Sequence, residues 1–299
     1  MIKLLQVVID GTLIGLVYGL VAISFVVIYR ASKIVNLSQG EVLVVGALFL
    51  WTFTLGARSL GYDVPLWAGL MVTVAVCIGF GLVLERLVFR PLIGQPAFAV
   101  FMASIALLVI LRGAAQLVWT AENRPFPAFL PSGALQLGPF AFSTKLLIGA
   151  LFTIALAAGL HLFFTRSRRG LRLAAVAEDH NTALSLGVSV RGAIAVAWIL
   201  GTIVATFGAI VFLSGRIVSL EVASIGFKAL PVALLGGLES IRGAPLAGVL
   251  IGIGEALAMA YLDPLTNGVA SSVLPFAVMI AVLLLRPQGL FGWKKIERL

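Results

Sequence analysis

Two charged side chains stand inside long apolar runs: Arg112 within 97–119 and Glu255 within 243–262. Charge at such positions faces a bundle interior or a water-filled cavity, because hydrocarbon solvates it poorly. The two are opposite in sign and reach a similar depth in their runs, so they are expected to pair or to line one cavity. The bland alternative for Arg112 is a long stem that carries its guanidinium to the headgroups. An arginine at a span centre costs about 3 kcal/mol, which the Leu, Ile, Phe and Val residues around it return. A further polar stretch, Val35-Asn36-Leu37-Ser38-Gln39-Gly40-Glu41, separates two apolar runs. Asn36 or Ser38 suits the cap of the helix that follows; the bolder reading makes Asn36, Ser38 and Gln39 a constriction in a pathway. Glu85 and Arg86 are adjacent at the end of a run and read as an interfacial pair.

Bond-making chemistry finds no support. The sequence contains no H-E-x-x-H, no G-x-S-x-G and no G-x-x-x-x-G-K-[ST] phosphate loop. His161 and His180 lie in different segments without ligand spacing, and the single cysteine, Cys77, lies in an apolar run as a small buried residue. No cofactor and no metal site is expected, and any ATP hydrolysis belongs to a separate polypeptide.

The elements that position these residues follow from composition. Of 299 residues 61% are hydrophobic and 11% charged, against about 25% charged in soluble domains, and the mean hydropathy is +1.14. Lipid must therefore be the solvent for most of the chain. The excess of 21 Lys and Arg over 12 Asp and Glu falls mainly in short loops, a topology signal and not a nucleic-acid surface. The predicted class is all-α, a polytopic transmembrane helix bundle with about eight to nine spans. Clear candidates are 7–29, 65–87, 97–119, 144–165, 192–214, 243–262 and 268–286, with weaker ones at 38–57 and 223–238. The first is too long for a signal-peptide core and is read as a retained span. The segment 223–238 is short, contains Lys228 and Pro231, and is expected to be broken or re-entrant.

Basic clusters at Arg30/Lys33, Arg86/Arg90, Arg166/Arg168/Arg169/Arg172 and Arg286/Lys294/Lys295/Arg298 fall on one side if 223–238 counts as a crossing. Cytoplasmic loops carry that excess, so the N-terminus is expected outside and the C-terminus in the cytoplasm, with Lys228 in an outer loop and Arg112 the one basic residue within a span. The outer loop 120–143, rich in proline, is expected to be irregular, with Phe126, Phe129 and Phe140 at the interface. The inner loop 166–191 holds apolar residues at 173, 176, 177 and 184, helical spacing, with Gly187 placed to cap. Its Glu178 and Asp179 disfavour an anionic lipid surface and favour a protein partner. Gly11, Gly15 and Gly19, and again Gly248 and Gly252, are spaced for close helix packing in lipid.

Four stretches in order now carry a resemblance: G-L-V-Y-G-L-V-A-I-S-F-V-V-I-Y-R followed by I-V-N-L-S-Q-G-E; R-G-L-R-L-A-A-V-A-E-D-H-N-T-A-L-S-L-G-V; G-F-K-A-L-P-V-A-L-L-G-G-L-E-S-I-R-G-A; and L-L-R-P-Q-G-L-F-G. Over about residues 7–292 the chain resembles the branched-chain amino acid ABC transporter permeases, specifically the LivH-type subunit. The resemblance implies a single permease domain over 1–299 in the bacterial inner membrane, with a cytoplasmic coupling loop at 166–191. It implies a LivM-like second permease, two cytoplasmic ATP-binding subunits and an extracytoplasmic solute-binding protein as partners, besides membrane lipid. Residues 173–186 would dock into an ATPase, Ala177, Glu178, Asp179 and Gly187 matching that family's loop. The implied activity is import of amino acids, branched-chain above all, by alternating access. Glu239 and Arg242 depart from the family's small residue and proline in a tight turn. The alternative is a secondary transporter or channel for a small polar solute, working without ATP, with 38–57 and 223–238 as corresponding broken spans.

Overall fold

The structure is a computed structural model that describes residues 2–178, 180–185 and 187–292. In chain order it forms helix α1 (Ile2–Ser32), α2 (Gln39–Ser59), α3 (Leu66–Leu92), α4 (Ala97–Trp119), strands β1 (Arg124–Pro125), β2 (Ala134–Leu137) and β3 (Phe140–Ser143), then α5 (Thr144–Arg166), α6 (Arg168–Glu178), α7 (His180–Ser185), α8 (Val190–Leu213), β4 (Ile217–Val218), α9 (Ser224–Gly236), α10 (Gly243–Thr266) and α11 (Val269–Leu285). Seven of these helices, α1 to α5, α8 and α10, are long and apolar enough to cross a membrane, and α11 is a shorter apolar helix. The chain is thus a multi-pass, all-α membrane protein.

Prolines shape two of the long helices. A π turn at Glu85–Phe89 in α3 precedes Pro91 by two residues, and one at Ala258–Leu262 in α10 precedes Pro264 in the same way. Proline lacks an N–H and its ring crowds the carbonyl four residues back, and a widened turn relieves both. The loop 120–143 is more ordered than its prolines suggest. The antiparallel β2–β3 hairpin turns through Gly138 at φ +61, the position where a two-residue hairpin loop wants a positive φ. Phe126, expected at the interface, is buried instead, and its N–H donates to the Arg216 carbonyl beside the β1–β4 pair.

The described residues cluster into two compact units. One draws on Met1–Val26, Ser132–His161 and Lys228–Leu299, the other on Val27–Pro131 and Leu162–Phe227. In the first unit α1 and α10 run antiparallel with backbones in contact: Gly11 meets Gly252, Gly15 meets Gly248, and Gly19 meets Pro245. A Cβ at Gly15 would overlap the Gly248 carbonyl, so the glycine spacing is a packing device. The turn Gly237–Arg242 is covered by the segment after α11. The Leu290 N–H donates to the Leu235 carbonyl at 2.8 Å, and Gly289 lies against Gly237. Arg242 reaches the imidazole of His161.

In the second unit α8 is the hub, with α2, α3 and α6 packed on it. Its buried Trp198 stacks on Phe89 of α3 at 4.2 Å, Gly81 of α3 abuts Thr202, and Gly46 of α2 abuts Thr206. Cys77 lies 3.3 Å from the Thr206 hydroxyl and is fully buried, as a small packing residue.

The weak spans behave unequally. Residues 39–59 form a helix of 21 residues. Residues 224–236 form only 13 helical residues, with Pro231 inside, or about 20 Å of helix against about 30 Å of hydrocarbon. Yet Ala223 and Gly226 already touch Gly40 in the first turn of α2. The stretch after α8, which ends in a 3-10 turn at Leu220–Ala223, has therefore returned to that level before α9 begins. Such backbone is tolerated at membrane depth where protein surrounds it, and Ser214, Val218 and Ala223 are buried.

Candidate functional site

The break between α1 and α2 places three buried polar side chains in one network. The Asn36 amide oxygen accepts from the Ser38 N–H at 3.1 Å and from the Ser38 hydroxyl at 2.6 Å. The Asn36 amide nitrogen donates to Gln39 Oε1 at 3.0 Å, and Gln39 Nε2 donates to the Gly201 carbonyl of α8 at 3.2 Å. Ser38 stands at the cap position but makes no side-chain capping bond. Its hydroxyl is taken by Asn36, a local competition typical of short polar side chains. Gly201 is near the middle of α8, 11 residues from its start, or about 17 Å along the axis. The first turn of α2 therefore lies level with the centre of α8, and the three residues are a mid-depth lock between the two helices. A cleft of about 630 Å³ opens beside the break, lined by Ser32, Lys33, Gln95, Phe98, Phe101 and Ile194 among others.

One turn into α2, Glu41 faces Arg112 of α4, with Oε1 and Nη1 3.9 Å apart. Glu41 is 1% exposed, and neither of its oxygens accepts a hydrogen bond from the described residues, whereas the Arg112 side chain is 50% exposed. The expected pairing of Arg112 with Glu255 is not what forms. Glu255 takes Lys228 of α9, carboxylate to ammonium, in a largely buried pair. Lys228 is thus a helical residue with an intramembrane partner, not an outer-loop charge, and Arg112 is not the only basic residue within the helices. Depth counted along a sequence does not say which helices are neighbours, which is why the partners were misjudged. Glu85 likewise binds Arg90, not Arg86, through two bonds of 2.9 and 2.8 Å. The five-residue spacing follows from the π turn that separates them.

The segment 173–186 forms two helices, α6 and α7, where one was expected. Leu173, Val176 and Ala177 are buried with α6 packed on α8. Leu184 is exposed and its neighbour Ala183 buried in its stead, because the new helix after Glu178 resets the phase. The side chain of Glu178, and all of Asp179, lie outside the described residues. Gly187 follows α7 with φ +75, and its N–H donates to the Leu184 carbonyl at 2.9 Å, a helix-ending cap as expected. At the other end, Gly170 backs directly onto the Phe163 carbonyl, where a Cβ would overlap, and the Arg30 guanidinium lies 4.8 Å over the Phe164 ring. Arg168, Arg169 and Arg172 are exposed. The result is a pair of short helices, the first packed on α8 through its apolar side and carrying three exposed arginines. Arg169 and Arg172 border a notch of about 290 Å³ with Ser189 and Gly192.

Comparison with known proteins fits this arrangement. The family model described as the branched-chain amino acid transport system / permease component matches residues 7–283. The chain is 30% identical to the high-affinity branched-chain amino acid transport system permease protein BraD of Pseudomonas aeruginosa, over 98% of this chain and 97% of that one. It is 28% identical to the corresponding protein LivH of Escherichia coli K12 over the same shares. It is 27% identical to a probable LivH of Methanocaldococcus jannaschii over 94% and 90%. Among solved structures, PsaBC from Streptococcus pneumoniae in complex with Fab is similar at a TM-score of 0.45 and 14% identity, over 93% of this chain and 91% of that one.

Proposed function

The chain belongs to the family of branched-chain amino acid transport permease components, and from that premise we propose that it is the membrane-spanning subunit of an ATP-driven importer of amino acids, branched-chain ones first. A LivM-like permease, two ATP-binding subunits and an extracytoplasmic solute-binding protein complete the assembly in this reading. The chain does no chemistry on its cargo. The observation that carries the proposal is the anchoring of α6 on α8. A motor gripping α6 and α7 from the cytoplasm moves α8, and α8 holds the mid-depth lock through Gly201 and Gln39. Shifting α8 loosens the amide bond at the break and opens the pathway to one side as it closes to the other, which is alternating access. The cleft beside Lys33 and Gln95 serves as the release side.

The test is reconstitution. Proteoliposomes carrying the chain with its second permease and ATP-binding subunits are expected to accumulate labelled leucine only with ATP and loaded binding protein. Charge reversal at Arg169 and Arg172 is expected to abolish co-purification of the ATP-binding subunits while membrane insertion persists. Leucine accumulation by the chain without any ATP-binding subunit would instead establish the secondary-transporter reading.

A further inference from the structure

We propose that Arg112 and Glu41 form an intramembrane station for a zwitterion, in which Arg112 takes the carboxylate of the passing amino acid and Glu41 its ammonium. The inference rests on the amino-acid permease reading above. Arg112 is 15 residues from the start of α4 and 7 from its end, or about 22 and 10 Å, yet its side chain is half exposed. A guanidinium looking into lipid at that depth is costly, so this face of α4 looks onto a cavity or pathway. One turn on, Gln116 is also exposed, so two polar side chains stand on this face among exposed apolar ones such as Val109.

Behind Arg112, Glu41 is a nearly fully buried acid whose two oxygens accept no hydrogen bond from the described residues. Its separation of 3.9 Å from Nη1 exceeds the roughly 3.2 Å limit of a charge-assisted hydrogen bond. The pair is close enough to neutralise both charges and too far apart to satisfy either. A purely structural pair would close, as Glu85 and Arg90 do with two bonds in the same unit. Nor is the acid spent as a helix cap, since no side chain caps α2. Two opposite charges held apart by a gap are the complement of an α-amino acid, which presents an ammonium with three donors beside a carboxylate with two acceptors. The planar guanidinium fork suits the carboxylate, and the carboxylate of Glu41 suits the ammonium. Burying a zwitterion is costly unless both ends are met, and the pair meets both without adding net charge to the membrane interior.

The experiment uses the assembled transporter in proteoliposomes with binding protein carrying labelled leucine. Arg112→Gln is expected to assemble with all partners, while leucine uptake falls at least tenfold. Glu41→Gln is expected to lower uptake at least fivefold on the same terms. Gln116→Cys, in a Cys77→Ser background, leaves both charges in place. It is expected to react with hydrophilic thiol reagents, the anionic one at least threefold faster than the cationic, with that preference lost when Arg112→Gln is added. Uptake within twofold of wild type for Arg112→Gln, loss of the second permease from that variant, or an unreactive Gln116→Cys would each overturn the station. Failure of wild-type uptake to require ATP would strike the permease reading and leave the charge-selective labelling at Gln116 to judge the site.

Discussion

A lysine and a glutamate buried against each other tolerate the membrane interior far better together than apart. The Lys228–Glu255 pair is such a contact in the first unit, with Lys228 about a third exposed and Glu255 largely buried. Removing one partner of a buried pair leaves an uncompensated charge and costs about 3–5 kcal/mol, whereas replacing both by apolar residues is often close to neutral. Partial exposure of Lys228 reduces that, and we expect Glu255→Leu to cost ~2 kcal/mol, read as a fall of several degrees in thermal unfolding of the purified protein. Lys228→Met combined with Glu255→Leu should recover at least half of the loss. At this scale the sequence discloses some of the residues that matter, since a charge in an apolar run is conspicuous at Arg112 and Glu255, whereas Lys228 reads as an outer-loop charge. The sequence does not disclose partners. Glu41 passed as one more residue of a polar break until α4 was placed beside α2.

Helices declare themselves more openly than their junctions do. Apolar runs placed the long helices to within a few residues, and the glycines of α1 and α10 announced close packing. We expect Gly15→Leu to destabilise the first unit by about 1–3 kcal/mol, as overpacking does, because any Cβ there meets the Gly248 carbonyl. Gly79→Leu should be nearly silent, since nothing stands within 4 Å of its place on α3. Size-exclusion profiles and unfolding temperatures of the two variants provide the comparison. The junctions were harder to foresee. The two-helix form of residues 168–185 depends on α6 finding α8, and the hairpin depends on Gly138 outweighing the prolines around it. The π turns at Glu85–Phe89 and Ala258–Leu262 stand before Pro91 and Pro264, whose missing donors and crowded rings widen the helix, whereas the one at Thr52–Gly56 has no proline just after it.

For the whole chain, the question left by α9 is how 13 helical residues serve where a span is needed. The return after Leu213 ends in a 3-10 turn at Leu220–Ala223 and brings the backbone level with Gly40 before the helix starts. Counted as a crossing, it is what the loop-charge reading of the sequence expects. In a Cys77→Ser background, Ser132→Cys is expected to react with an impermeant maleimide on intact spheroplasts, and Arg169→Cys only after the membrane is opened. The reverse pattern would invert the orientation and remove α6 and α7 from the reach of any cytoplasmic motor. Class was legible because lipid imposes a strict pattern on composition, and the family because four stretches resemble its members in order. The depth at which α2 begins was not, because nothing in a polar heptapeptide states how far into the bilayer it lies.

Both intramembrane ion pairs are neutral as units. A voltage across the bilayer does work only on net charge, about 2.3 kcal/mol per elementary charge per 100 mV, and here each cation would move with its own anion. A zwitterionic cargo adds nothing to that sum. Under the importer proposed above, uptake rates should therefore hold steady as the membrane potential is clamped from zero to strongly negative values, and a de-energised cell with intact nucleotide pools would still feed.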